Sequence, residues 1–156
     1  MILHWQRGLR PAALRLGVSR GADYIAAMIN HGLLNPQLLA LLARVRHTNA
    51  LVIADRGVPF WPMIETVDVS VVDDLPTVLQ LIRAVRVNHQ FTEAHMAAEF
   101  LKSNSKPTQQ KFRSALLGLE VKFEPHVEFK QRVPHAIGLI RTGDTTQYAN
   151  TILISG

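Results

Sequence analysis

Short apolar segments that suit buried strands alternate along this chain with longer segments that have the apolar spacing of helices. The patterns predict strands at 50–54, 65–72, 120–124, 136–143 and 148–155. They predict helices at 36–46, 106–119 and 125–133, and one more helix after Asp74, with Asp74 as its N-cap and Pro76 in its first turn. Strands that alternate with helices form a layered sheet, so we expect an α/β fold: a single domain with one mixed sheet flanked by helices.

One segment fits two structures. "FTEAHMAAEFLKS", residues 91–103, is rich in alanine, glutamate, methionine and leucine, and these residues favour a helix. A central strand is not excluded, because a buried strand can carry such residues where tertiary pairing overrides propensity.

Residues 1–27 differ from the remainder of the chain. They hold four arginines and one aspartate, so they carry +3 of the total net charge of +5. Three interpretations stay open: a targeting peptide, an amphipathic surface helix, or a start assigned too far upstream, with Met28 as the true first residue. We therefore take 1–27 as an N-terminal extension, disordered or misassigned, and 28–156 as the domain.

Composition excludes several classes of function. The chain has no cysteine, which rules out disulfides, thiol nucleophiles and cysteine metal sites. Its basic balance lies largely in residues 1–27, so we expect no nucleic acid as partner. No apolar run reaches the roughly 18 residues that span a bilayer, so we expect no membrane and a cytoplasmic location.

The segment "RHTNALVIADRGVP" places a histidine before a buried strand and an aspartate after it. His47 fits two roles, a helix C-terminal residue favoured by the dipole or a proton-handling group. Asp55 either shapes its own Gly/Pro turn or faces a ligand at the carboxyl end of the strand. A strand of about five residues spans roughly 16 Å. The two side chains therefore meet only if a flanking loop folds back or a neighbouring subunit supplies one of them.

Two further places offer ligand contacts. His126 begins a predicted short helix, where it is either a surface or capping residue or part of a site. Tyr148 and Asn150 lie two residues apart at the expected start of the last strand, so both would point to one face. No metal-binding or phosphate-binding motif occurs, and we expect neither a metal nor a cofactor.

Taken in order, "HTNALVIADRGVP", "VDVSVVDDLPTVLQLI", "HVEFK" and "IRTGDTTQYANTIL" resemble the D-ribose pyranase and L-fucose mutarotase family over residues 28–156. The "ADRGVP" and "YAN" forms are more similar to its ribose branch. The resemblance implies a ring-forming oligomer, a pentamer or a decamer, with sites at subunit interfaces. It also implies a strand at 91–100.

The resemblance implies a cofactor-free isomerase that interconverts pyranose and furanose forms, or anomers, of a free monosaccharide. It assigns His47 as the catalytic proton donor and five residues as substrate-binding: Asp55, His126, Tyr148, Ala149 and Asn150. Ring opening moves one proton off the anomeric hydroxyl and one onto the ring oxygen, which suits a histidine whose ordinary pKa is about 6.5. The carboxylate and amide would hold sugar hydroxyls.

This sequence departs from the family pattern beside the histidine. The family often has Gly and Asp at the positions of Arg46 and Asn49, so a charge is added and a carboxylate is lost. The changes keep a second function open, a non-catalytic monosaccharide-binding or transport-associated protein. The particular sugar, ribose or one like L-fucose, is not fixed by the sequence.

Overall fold

The short β-branched segments pair into one six-stranded sheet in the computed structural model, which describes residues 32–156. Its strands are β1 (Ala50–Ala54), β2 (Thr66–Asp68), β3 (Phe91–Ala97), β4 (Glu120–Glu124), β5 (Gly138–Arg141) and β6 (Thr151–Ser155). They lie in the order β2-β5-β1-β6-β3-β4. Strand β6 runs antiparallel to β1 and β3, while the other neighbours are parallel. The predicted mixed sheet is therefore confirmed.

Five helices flank this sheet within the described residues. They are α1 (Pro36–Leu42), α2 (Val78–Asn88), α3 (Glu99–Ser103), α4 (Lys106–Ala115) and α5 (His126–Arg132), and a 3₁₀ turn, Val133–His135, follows α5. None of them is both long and apolar enough to cross a membrane.

The sheet buries a different hydrophobic cluster on each face. In β1, Leu51 and Ile53 belong to a large cluster with α1, α2 and α4, while Val52 and Ala54 belong to a smaller one with Phe129 of α5. This division follows from the alternation of side chains along a strand. The second face has less helical cover, and the loop after β1 lies over it through Val58 and Trp61.

The starts of two helices are set by side chains that cap their first backbone N–H groups. Helix α1 begins as predicted, because the Asn35 side chain accepts from two backbone N–H groups and Pro36 follows. The N-cap of α2 is not Asp74 but Thr77, which forms a capping box with Gln80. Asp74 instead has a positive φ and accepts from the backbone and hydroxyl of Thr145, at 2.9 and 2.6 Å.

Segment 91–103 divides between the two structures it fitted. Residues 91–97 form β3, which pairs with β6 on one side and β4 on the other, and 99–103 form α3. Pairing on both sides outweighs the helical propensity of "TEAHMA". The family resemblance therefore predicted this strand correctly, although the strand ends at Ala97.

Several expected elements are shorter in the structure. Helix α1 ends at Leu42, α4 at Ala115 and β2 at Asp68. Strand β6 begins only at Thr151, so Tyr148 and Asn150 lie in the loop before it and not on the strand. The three interpretations of residues 1–27, including Met28 as the first residue, lie outside the described residues.

Candidate active site

A cavity of about 440 Å³ opens on the second face of the sheet, at the carboxyl end of β1. The sheet supplies Val52 and Ala54, and α5 supplies a second wall. Four of the six predicted site residues line it: Asp55, His126, Tyr148 and Asn150. The other lining residues are Gly57, Val58, Pro59, Trp61, Phe129, Lys130, Val133 and Gln147. A volume of this size, with apolar walls and a few convergent polar groups, is typical of a small-molecule site.

Asp55 follows directly on β1 and is fixed by two neighbours. Its Oδ1 accepts from the Gly57 N–H at 2.9 Å, and its own N–H donates to Asn150 Oδ1 at 2.6 Å. Burial raises the pKa of the Asp55 carboxyl, although the Gly57 N–H and the Asn150 side chain favour its charged form. Asp144 raises this pKa further, and His126 lowers it. Asp55 and Asn150 therefore form one hydrogen-bonded unit in the cavity.

His126 is the first residue of α5, and this helix is held at both ends. The His126 N–H donates to both carboxylate oxygens of Glu99, at 3.2 and 3.0 Å. At the other end, Arg132 Nε donates to both oxygens of Glu124, at 2.7 and 2.9 Å. The backbone N–H groups of Glu99 itself and of His126 lower the pKa of Glu99, so its carboxylate stays charged at the helix N-terminus.

The imidazole of His126 stands between two aromatic rings. It meets Tyr148 edge-on, with centroids 5.1 Å apart and planes at 84°, and lies nearly parallel to Phe129 at 6.2 Å. These contacts limit how far the ring can turn. The orientation of the His126 ring is therefore set before a ligand binds.

The loop that carries Tyr148 and Asn150 is fastened by a buried carboxylate. Asp144 is 1% exposed, and its two oxygens accept from the N–H groups of Val78 and Thr146, at 2.7 and 2.6 Å. Tyr148 has a φ of 55°, which turns the chain between the loop and β6. Ala149 does not line the cavity; its side chain is fully buried in the large hydrophobic cluster.

His47 lies elsewhere in the same chain. It is exposed at the amino end of β1 and lines a separate cleft with Arg46, Arg86 and His89. Neither loop folds back to bring it to the Asp55 cavity. Of the two arrangements that the sequence left open, the one within a single subunit is therefore absent from residues 32–156.

Arg46 and Asn49, the two departures from the family pattern, both form hydrogen bonds within or next to the turn that carries His47. Arg46 Nη1 donates to the carbonyls of Ala43 and Val45, at 2.6 and 3.0 Å, so its charge caps the end of α1. Asn49 Oδ1 accepts from the Arg46 N–H at 2.8 Å, and Thr48 between them has a φ of 68°. Asn49 thus holds the turn together through its side-chain oxygen.

Among the lining residues that sequence reasoning did not assign to the site, four have long or aromatic side chains: Trp61, Phe129, Lys130 and Gln147. Two of them had a signal. Phe129 and Lys130 follow His126 by three and four residues, so a helix there places all three on one face. Trp61 lies in a Gly/Pro loop without periodicity, and Gln147 lies in a loop whose course depends on Asp144.

No group of three or more histidine, aspartate or glutamate side chains that could hold a metal occurs in the part of the chain that the structure describes. The polar groups of the cavity are instead a carboxylate, an imidazole, a phenol and an amide. Groups of these kinds can form hydrogen bonds with a hydroxyl-rich ligand and can transfer its protons.

The fold and the cavity define a protein with a site for a small polar molecule at the end of a mixed sheet. Residues 28–156 match the model of the RbsD / FucU transport protein family, and the chain belongs to that family. D-ribose pyranases of Chromobacterium violaceum and Geobacillus kaustophilus are each 39% identical over 129 residues, which cover 83% of this chain and 98% and 94% of theirs.

Solved structures agree with this assignment. Bacillus subtilis RbsD complexed with D-ribose is 32% identical, with a TM-score of 0.77, over 83% of this chain and 98% of that one. The fucose mutarotase of Streptococcus pneumoniae in complex with L-fucose has a TM-score of 0.70 at 18% identity, over 82% of this chain and 98% of that one. The second likeness shows the fold alone.

Proposed function

We propose that this chain is a sugar pyranase of the D-ribose type, an isomerase that interconverts the pyranose and furanose forms of a free monosaccharide. The observation that carries the proposal is the convergence of Asp55, His126, Tyr148 and Asn150 on one cavity from three separate parts of the chain. The relatives named D-ribose pyranase, and the D-ribose complex of RbsD, support ribose as the sugar.

The reaction needs a proton removed from the anomeric hydroxyl and a proton delivered to the ring oxygen. The open aldehyde is then attacked by a different hydroxyl, so the ring closes at another size without oxidation. Asp55 and Asn150 hold hydroxyl groups through a carboxylate and an amide, and Tyr148 places a phenol beside them. His126 offers a second nitrogen base within the same cavity. Acid–base help of this kind accelerates a reaction by roughly 10²–10⁴-fold.

We assign the principal proton transfer to His47 of a neighbouring copy. His47 is exposed and stands at the far end of β1, about 16 Å away along the strand, so it cannot serve the cavity of its own subunit. A ring of subunits, pentameric or decameric, would place the His47 cleft of one copy against the Asp55 cavity of the next. A cytoplasmic location, tested by cell fractionation, belongs to the same proposal.

Magnetisation exchange between the ring forms of D-ribose, measured by NMR with and without protein, tests the activity. We expect wild type to accelerate pyranose–furanose exchange above the spontaneous rate, and His47→Ala to give no acceleration. Acceleration of L-fucose exchange alone would move the assignment to the mutarotase branch. Binding of sugar without acceleration of any exchange would refute catalysis and leave a binding protein.

Mixing two inactive variants tests the sharing of the site. His47→Ala and Asp55→Asn each carry one defect, so an assembly of both contains sites in which each residue is wild type. After dissociation and reassembly at equal amounts, about a quarter of the sites should be complete if neighbours share them. If each subunit holds its own site, no activity returns, and the assignment of His47 to a neighbour is wrong. Each variant dissociated and reassembled alone is the control.

A further inference from the structure

Trp61 is the one aromatic side chain that the loop after β1 contributes to the cavity lining. It packs on the second hydrophobic cluster, as Val58 does. Its neighbour Phe60 is 81% exposed and does not line the cavity. The loop thus turns one of two adjacent aromatic rings inward, although either would gain from burial.

The indole presents carbon, not its nitrogen, to the cavity. Its Nε1 is shielded from solvent and, among residues 32–156, has no hydrogen-bond partner. The nitrogen edge therefore faces protein, and the surface left for a ligand is the ring itself. A flat carbon surface suits the face of a sugar that carries C–H groups, while hydroxyls turn to Asp55 and Asn150.

The loop that carries Trp61 is held in place without a ligand. Pro59 and Pro62 restrict the backbone on either side, and the Ile64 N–H donates to the Trp61 carbonyl at 3.1 Å. Ile64 is itself buried in the second cluster, at 6% exposure. Because the side chain is positioned beforehand, little ordering cost is left for binding.

We propose that Trp61 contacts the monosaccharide directly, as an apolar platform against its C–H face, and that it sets the affinity of the site. This inference rests on the proposed function, since it takes a free sugar as the ligand. It assigns to Trp61 a binding role that is separate from the proton transfers. Its loss should therefore raise KM and leave kcat nearly unchanged.

Intrinsic fluorescence reports on this contact. The chain has two tryptophans, so Trp5→Phe leaves Trp61 as the sole tryptophan, and excitation at the long-wavelength edge of indole absorption avoids emission from tyrosine. Titration of that full-length variant with D-ribose should give a saturable change in emission. In parallel, Trp61→Leu, which keeps an apolar anchor but removes the ring, should weaken D-ribose binding about tenfold by calorimetry. Trp61→Phe should stay within about threefold, because it keeps a carbon ring.

Phe60→Leu is the matched control, because it removes an exposed aromatic ring from the adjacent position and should leave affinity unchanged. A folded Trp61→Leu protein with wild-type affinity would overturn the platform. Ring exchange by wild type with silent Trp61 emission would overturn the platform and leave the enzyme standing. A saturable change in Trp61 emission without any acceleration of ring exchange would support the platform and refute the pyranase.

Discussion

Gly143 precedes the buried Asp144 and lies where two loops touch. A Cβ at this position would overlap the carbonyl oxygen of Val72 and come within 2.9 Å of the carbonyl oxygen and 3.1 Å of the nitrogen of Leu75. All three are backbone atoms, which cannot rotate aside as a side chain does. The Gly143 carbonyl also accepts from the Asp74 N–H at 2.7 Å, so the two loops are joined where they would have to separate.

We therefore expect Gly143→Ala to destabilise the fold by about 3 kcal/mol, the upper range for forced overpacking. The displaced segment leads to Tyr148 and Asn150, so the KM for ribose should rise as well. Chemical unfolding followed by circular dichroism, at one fixed protein concentration, measures the first effect, and NMR exchange measures the second.

Gly57→Ala is the control for the stability measurement. Its added Cβ meets only Asp55 Oδ1, at an ordinary 3.5 Å, and its φ lies outside the left-handed region. It should cost far less than Gly143→Ala. If the two variants unfold at the same denaturant concentration, the close contact between the loops is not rigid, and the reasoning fails.

Three smaller predictions concern charge and backbone strain. The pKa of Asp55 is higher in the folded protein than the 3.8 of the unfolded chain. The neutral carboxyl therefore stabilises the fold at pH values below 3.8, and this contribution is lost as the pH rises through the folded pKa. Asp55→Asn should then increase stability at neutral pH but not in acid; equal effects at both would contradict this. Glu99→Ala should raise KM several-fold by freeing the first turn at His126, with Glu99→Gln closer to wild type. Thr48→Gly should not lower the melting temperature, because it removes a left-handed threonine that costs about 1 kcal/mol.

The elements that the sequence predicted well are bounded by clear turn and capping residues. Strand β1 has the bounds expected, because five aliphatic residues stand between Asn49 and the Asp-Arg-Gly turn. Strand β4 is equally clear, and the start of α1 is fixed by Asn35 and Pro36. In these places the signal is carried by neighbouring residues, so no distant contact is needed to interpret it.

The features that the sequence did not predict depend on distant parts of the chain. Asp74 resembles a cap, but Thr145, far along the chain, engages its carboxylate, and the helix begins at the Thr77 cap instead. Trp61 enters the cavity and Phe60 does not, because Trp61 packs on the cluster that the second face of the sheet buries.

The candidate site shows the same limit. Residue order and family resemblance brought Asp55, His126, Tyr148 and Asn150 to notice, and the structure brings them together. The separation of His47 follows from the length of β1, which the sequence already implied. Which copy would serve which cavity is a property of an assembly, and the sequence of one chain does not encode it in any local pattern.

The length of β1 also bears on how many working sites an assembly can have. If each copy offers a histidine at one end of this strand and a cavity at the other, sites form only where consecutive copies meet. An open row then leaves one unused histidine and one unserved cavity at its ends. Closing the row removes both ends at once, so a ring gains one site over a row with the same number of copies. A rigid strand that separates the two halves of a site thus makes a closed ring more active than an open row with the same number of copies.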